Sequence, residues 1–203
     1  MKVSNIFRDL IATLISCMMI AMGVAMIVTY DYGADPISLF QLGISEQSGL
    51  SLGDVALVYN IVLFIIAWRM NRYKLGLGTI VYTLCLGCLI DWSMTVLPHC
   101  EGSITLCLFI LGQGLLCFGT ASLLYINAGI SSLDAIIEKL RSILHINYGV
   151  IKGSFDLLFS LLGILMGANA QWGSIYLAMT SGLFIEHMLV AMNKKVSPHG
   201  FLR

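Results

Sequence analysis

Long apolar runs separated by short polar segments dominate this chain. Six runs are long enough to cross a bilayer core, which takes about 20 helical residues. In each half of the chain, a shorter helical piece lies between the first and second runs. The pattern predicts an all-α membrane protein with six transmembrane helices near residues 8–30, 53–70, 76–97, 103–126, 149–168 and 173–192, and short helices near 36–48 and 132–145.

Each short helix begins with a capping signal. Asp35 precedes Pro36, which places an acceptor at the N-cap and proline at the first helical position. Ser131 and Asp134 have the spacing of a capping box. The second short helix separates its apolar residues from its charged residues, which is typical of a helix at the membrane surface. We therefore expect an interfacial helix in each half, with the less charged first copy able to insert deeper.

The chain also contains an internal repeat. A shift of 96 residues aligns Gly23, Gly33, Gly53 and Asn60 with Gly119, Gly129, Gly149 and Asp156, and deletion of one residue then aligns Gly78-Thr79, Gly87 and Asp91 with Gly173-Ser174, Gly182 and Glu186. Because each repeat holds an odd number of spans, the halves must be inverted about an axis in the membrane plane. We predict two such repeats, residues 1–100 and 101–203, in one integral membrane domain.

Composition agrees with a lipid environment. The chain is 58% hydrophobic and 11% charged, with a mean hydropathy of +0.90, whereas soluble domains contain about a quarter charged residues. Net charge is zero and no basic run is present, which argues against nucleic-acid binding. Five of the six cysteines lie in apolar runs, so we expect no disulfide framework, no metal site and no cofactor.

The basic residues predict the topology. If the N-terminus is cytoplasmic and the chain crosses six times, every Lys and Arg lies at or near the cytoplasmic face, as the positive-inside rule requires. These 11 residues are Lys2, Arg8, Arg69, Arg72, Lys74, Lys139, Arg141, Lys152, Lys194, Lys195 and Arg203. We predict a multi-pass protein of the cell (cytoplasmic) membrane with both termini in the cytoplasm. The first apolar run matches residues 106–126 of the second half, so we interpret it as a span rather than a signal peptide.

Several motifs recur in order in both halves. They are Gly33-Ala-Asp-Pro36, Gly49-Leu-Ser-Leu-Gly53, Gly76-Leu-Gly78-Thr79 and Gly87-Cys-Leu-Ile-Asp91, followed by Gly129…Leu133-Asp134, Asn147-Tyr-Gly149, Gly173-Ser174 and Gly182…Glu186. In these motifs the chain resembles the YczE/YyaS/YitT-like family of bacterial integral membrane proteins. That family tends to have an aromatic residue and then an acid after the proline, where this chain has Ile37-Ser38. The resemblance implies a membrane fold and does not specify an activity.

Ionisable residues inside spans indicate either a function or a buried partner, because a charge in lipid is costly. Asp156 lies seven residues past Gly149, which is a depth of roughly 10 Å at the helical rise. Glu186 approaches the same surface from the other direction. We predict that Asp156 and Glu186 share a polar cavity and bind a proton, a cation or an organic ammonium group, with Asn60 and Asp91 as their counterparts on the outer side. The alternative is that each acid separately accepts hydrogen bonds from neighbouring helices.

A secondary site is suggested at the starts of the short helices, at Asp35, Ser131 and Asp134. Free N–H groups at a helix start attract anions, although local capping is a sufficient explanation for these residues. Asp35 would itself repel an anion.

These features favour a small-solute transporter or permease, with proton or cation coupling as an option. The alternative is a membrane scaffold or regulatory protein that transports nothing and engages a partner through its amphipathic helix. The chain has no HExxH, GxSxG or phosphate-loop motif, which argues against an enzyme. We expect the partners to be the lipid bilayer and a small solute or cation, and the sequence leaves a homo-oligomer open.

Overall fold

A computed structural model describes residues 3–98, 100–126, 128–146 and 148–194. Within these ranges the chain is helical and contains no strand. The α-helices are α1 (Val3–Thr29), α2 (Pro36–Ser48), α3 (Leu52–Asn71), α4 (Leu77–Val96), α5 (Ile104–Ile126), α6 (Ser132–Leu144), α7 (Tyr148–Leu165) and α8 (Trp172–Lys194). A 3-10 turn, Arg72–Lys74, follows α3. Lys2, Asn147, Lys195 and Arg203 lie outside the described residues.

Five of these helices are long and apolar enough to cross a membrane within the described ranges: α1, α3, α4, α5 and α8. The prediction of a helical, multi-pass type of membrane protein is therefore confirmed at this level. The remaining predicted span, α7, has 18 residues and is not among the five. It ends at Leu165, not near 168, because Gly167 adopts a φ of +103° and the N–H of Ala168 turns back to the carbonyl of Gly163. The sixth span stays a prediction.

Both short helices begin where their caps predict. The N–H of Ser38 donates to the Asp35 carboxylate at 3.3 Å, with Pro36 in the first turn. At the second helix, the N–H of Asp134 donates to the Ser131 hydroxyl at 3.2 Å. Each helix has 13 residues, too few to span a bilayer core.

Loop contacts fix the directions in which α4 and α8 run relative to α1. We call the face where α1 ends the far face and the face where it begins the near face. The Tyr30 hydroxyl donates to the carbonyl of Pro98 after α4, and the N–H of Gly173 at the start of α8 donates to the carbonyl of Tyr32. The end of α4 and the start of α8 therefore lie at the far face.

Helix packing is nearly the same in the two halves. The first helices of the halves, α1 and α5, pack along each other, α4 packs on α1, and α8 packs on α5. Each short helix crosses over, since α2 lies against α7 and α6 lies against α3. One pairing has no counterpart: α3 packs along α4, whereas α7 and α8 make hardly any contact within the described residues.

Two glycine turns join the first span of each half to its short helix. Gly33 and Gly129 have φ values of +125° and +133°, a conformation that favours glycine. The N–H of Ala34 donates to the Ser174 hydroxyl at 2.9 Å, and the Thr79 hydroxyl donates to the Ile130 carbonyl at 2.7 Å. The last span of each half therefore holds the turn of the other half.

Candidate functional site

A cavity of about 250 Å³ lies between the two halves, and all eight α-helices contribute to its wall. Much of the wall consists of residues at corresponding positions of the repeat. These pairs are Ile20 with Leu116, Val24 with Thr120, Asp35 with Ser131, Pro36 with Ser132, Ile37 with Leu133, Ser38 with Asp134, Asn60 with Asp156, Tyr82 with Leu177, Leu86 with Ser181 and Ile90 with Ile185. Five of the seven site residues predicted from the sequence lie here: Asp35, Asn60, Ser131, Asp134 and Asp156.

The first turns of α2 and α6 both line the cavity, and the acidic residue and the serine occupy swapped positions in the two turns. The order is Asp35 then Ser38 at α2, and Ser131 then Asp134 at α6. The Ser131 hydroxyl donates to the Asp134 carboxylate at 2.7 Å. Each helix start thus presents a carboxylate and a hydroxyl three residues apart, and α6 adds the hydroxyl of Ser132.

Asp35 is the carboxylate with the most confined environment at these helix starts. Burial raises the pKa of its carboxyl, while hydrogen bonding from Ser38 and the charge of Lys152 act in the opposite direction. Its Oδ2 accepts the N–H of Ser38, and its buried Oδ1 has no hydrogen-bond partner among the described residues. A carboxylate oxygen in this position can accept a hydrogen bond from a bound donor.

Asp156 lines the cavity from α7, but its partner is not the predicted one. It forms an ion pair with Lys152, one turn earlier on the same helix. The side chains of Lys152 and Asp156 are 31% and 26% exposed, so the pair stands at an opening of the cavity. Glu186 is exposed on α8 and does not line the cavity wall. In this conformation the structure does not bring Asp156 and Glu186 together in one site.

The other predicted pair, Asn60 and Asp91, is also separated. Asn60 is 5% exposed and lines the cavity, and its Nδ2 has no hydrogen-bond partner. Asp91 instead accepts the N–H of Gly53 at 2.7 Å and the Ser51 hydroxyl at 2.5 Å. It therefore caps α3 from the end of α4 and closes these two helices at the far face.

The difference in helix packing between the two halves is clearest at two pairs of glycines. A Cβ added to Gly53 would lie 2.2 Å from the carbonyl oxygen of Gly87, so the backbones of α3 and α4 touch. At the positions that the repeat alignment pairs with them, Gly149 and Gly182, an added Cβ would meet no atom of the described residues within 4 Å. The α3–α4 side of the cavity is sealed, whereas the α7–α8 side lacks this seal.

Five polar atoms in the cavity wall are buried without a hydrogen-bond partner in the part of the chain that the structure describes. They are Asp35 Oδ1, the Tyr59 hydroxyl, Asn60 Nδ2, Ser132 Oγ and Ser181 Oγ. A buried polar group left unpaired costs about 1–3 kcal/mol, so proteins rarely concentrate several in one place. This arrangement is suited to a polar occupant that supplies both donors and acceptors.

Sequence reasoning missed Tyr59, Lys152 and Ser181 as site residues. The available signal was weak, because a hydroxyl within an apolar span usually bonds to its own helix backbone. Lys152 was counted only as a basic residue near the cytoplasmic face. Within the described ranges, no group of three or more His, Cys, Asp and Glu residues is placed to hold a metal ion.

Comparison with known proteins gives a family without an assigned activity. Residues 7–189 match the model of DUF6198, described as a family of unknown function. A Haemophilus influenzae protein described as uncharacterized is 21% identical over 184 residues, which cover 90% of this chain and 84% of that protein. No solved structure matches the chain. The resemblance to YczE/YyaS/YitT-like proteins gains no support from these names and stays a hypothesis.

Proposed function

The chain belongs to the DUF6198 family, and we propose that it is an inner-membrane transporter or permease for a small solute. The observation that carries this proposal is the cavity between the halves, with its five unpartnered polar atoms. Transporters built from inverted repeats bind their solutes at such an interface. The proposal needs no enzymatic step and no cofactor.

The proposed architecture has six spans in two inverted repeats, with α7 as the additional span and both termini in the cytoplasm. Support comes from the repeat-related pairs in the cavity wall and from the crossed packing of α2 on α7 and α6 on α3. The near face is then cytoplasmic, in agreement with the distribution of Lys and Arg.

The proposed mechanism is alternating access around a fixed site. In this conformation, Gly53 and Gly87 hold α3 against α4, so the far face is closed. The separation of α7 from α8 gives access from the near face. In the alternate state, α7 would pack closely on α8, which brings Gly149 against Gly182, and α3 would separate from α4. Glu186 would then cap α7 as Asp91 caps α3.

The alternative of a scaffold protein is less favoured, because the apolar side of α6 is already occupied. Leu133 and Ile137 pack in a cluster with Ile151 and Phe159 of α7. Ala135 and Ile136 pack with Ala67 of α3. An amphipathic helix that recruits a partner needs an apolar face that remains available.

Cysteine accessibility tests the alternation without knowledge of the solute. In a variant whose six cysteines are replaced by alanine, Ser181→Cys places one thiol in the cavity wall. Small membrane-impermeant methanethiosulfonates of either charge are then applied to right-side-out and inside-out vesicles. We expect fast modification from the cytoplasmic side and slower modification from the outside.

A second variant tests the alternation at Gly149, where the structure leaves open space for a side chain. Gly149→Leu should abolish modification from the outside while leaving modification from the cytoplasm intact, because leucine prevents α7 from closing on α8. Gly114→Leu is the matched control, since a Cβ there also meets no atom within 4 Å but lies on α5. Outside modification that is absent from the parent protein, or that survives Gly149→Leu, would contradict alternating access.

A further inference from the structure

The charge balance of the cavity indicates the class of solute. Three carboxylates line it, those of Asp35, Asp134 and Asp156, and among the described wall residues Lys152 is the only basic one. The starts of α2 and α6 each add about half a positive charge. With Asp35 ionised and Asp156 paired with Lys152, the half charge at the start of α2 offsets only part of the Asp35 charge, which a singly charged cation would neutralise.

The unpartnered atoms need both a hydrogen-bond donor and a hydrogen-bond acceptor from a bound molecule. An ionised Asp35 can only accept, so its free Oδ1 needs a donor. Asn60 Nδ2 can only donate, so it needs an acceptor. Asn60 and Ser132 are 5% and 2% exposed, so little of either residue is open to bulk solvent. A cation that also carries a hydroxyl or carbonyl oxygen meets these requirements.

Size and ring placement favour an organic cation over a bare ion. A cavity of about 250 Å³ has room for about eight non-hydrogen atoms, at about 30 Å³ for each water-sized atom. The rings of Tyr59 and Tyr82 contribute to the wall, and aromatic faces attract ammonium groups. Metal ions are less suitable, because no cluster of three ligating side chains occurs in the described chain.

We propose that this cavity binds a small organic ammonium ion, with its charge near Asp35 and its oxygen near Asn60 and Ser132. This inference rests on the proposed transport function and specifies its solute class. Lys152 acts as the internal cation of the site, because its ion pair with Asp156 neutralises that carboxylate and leaves Asp35 for the solute.

Matched probes of equal shape test the role of the charge. Thermal unfolding of the purified full-length protein is measured with choline, with its uncharged isostere 3,3-dimethylbutan-1-ol, and with the anion 3,3-dimethylbutanoate. A parallel series uses 2-aminoethanol as a primary ammonium ion. Binding to the native state raises the unfolding temperature. We expect a saturable rise with at least one of the two ammonium ions and none with the isostere or the anion.

Asp35→Asn tests where the ammonium group binds, since asparagine is as good an N-cap as aspartate. It should weaken ammonium binding by about tenfold to a hundredfold, the usual loss for a charged hydrogen bond. Glu101→Gln removes an exposed charge away from the cavity and should leave binding unchanged. Equal stabilisation by the isostere, binding of the anion, unchanged affinity in Asp35→Asn or no response to either ammonium ion would overturn the proposal. Any of these results together with intact two-sided labelling of Ser181→Cys would reject the ammonium class while leaving the transporter in place.

Discussion

Gly53→Ala and Gly149→Ala form a matched pair, because the two glycines occupy corresponding positions of the repeat. The added methyl group at Gly53 would lie 2.2 Å from the Gly87 oxygen and 2.5 Å from a carboxylate oxygen of Asp91. Neither neighbour can yield without moving backbone or breaking the cap on α3. Overpacking of this kind costs about 1–3 kcal/mol. At Gly149 the methyl group meets no atom within 4 Å, so alanine should gain up to about 1 kcal/mol from helix propensity.

The assay is thermal unfolding of each variant in the same detergent. For a chain of this size, 1 kcal/mol corresponds to about 2–4 °C. Gly53→Ala should therefore lower the Tm by about 2–12 °C, and Gly149→Ala should leave it unchanged or slightly higher. An equal fall in Tm for the two variants would contradict this difference, since α7 and α8 would then be packed as tightly as α3 and α4. A Gly53→Ala variant with the Tm of the parent protein would contradict the close contact of α3 with α4.

Three further predictions concern the ionisable residues. Asp156→Asn should reduce the free energy of unfolding by less than about 1 kcal/mol, because its ion pair with Lys152 is partly exposed. It should also weaken binding of whichever ammonium ion stabilises the parent protein, because the Lys152 charge is then uncompensated. Glu186→Gln should leave that binding intact and slow labelling of Ser181→Cys from the outside, and the reverse assignment of these two effects would refute the placement of both residues. Binding of the same ammonium ion should strengthen as pH rises through the raised pKa of Asp35, because the ligand favours the ionised carboxyl. Stability without ligand should fall over the same range, since the folded state binds more protons than the unfolded state. The titratable groups that interact electrostatically with Asp35 across the cavity are Lys152, Asp156, Tyr59 and Tyr82. The comparison is therefore with Asp35→Asn, in which an unchanged pH dependence would contradict the assignment.

Periodicity and capping were sufficient to locate the helices, because these signals are local in the chain. For seven of the eight helices, the C-terminal end predicted from the sequence lies within two residues of the observed end. Asp35-Pro36 and Ser131 marked the starts of the two short helices. The end of α7 was misplaced by three residues, since the conformation of Gly167 depends on how the chain turns back onto Gly163.

Partner choice in the site was less accessible to sequence reasoning. Depth along a span can be counted, and Asn60 and Asp156, which the repeat alignment pairs, both line the cavity. The rotation of each helix and the spacing between helices cannot be counted in this way. Asp91 therefore caps α3 instead of lining the cavity, and Asp156 pairs with Lys152 on its own helix. The partners of an acid depend on which surfaces are in contact, and the two halves differ in that respect despite their aligned residues.

The glycine turn after α1 has a consequence for the order of biosynthesis. The N–H of Ala34 and the carbonyl of Tyr32 are satisfied by Ser174 and Gly173, which are separated from them by about 140 residues of chain. These hydrogen bonds cannot form until the last helix has left the ribosome and entered the bilayer. This turn must therefore wait for its partners from the second half through most of translation.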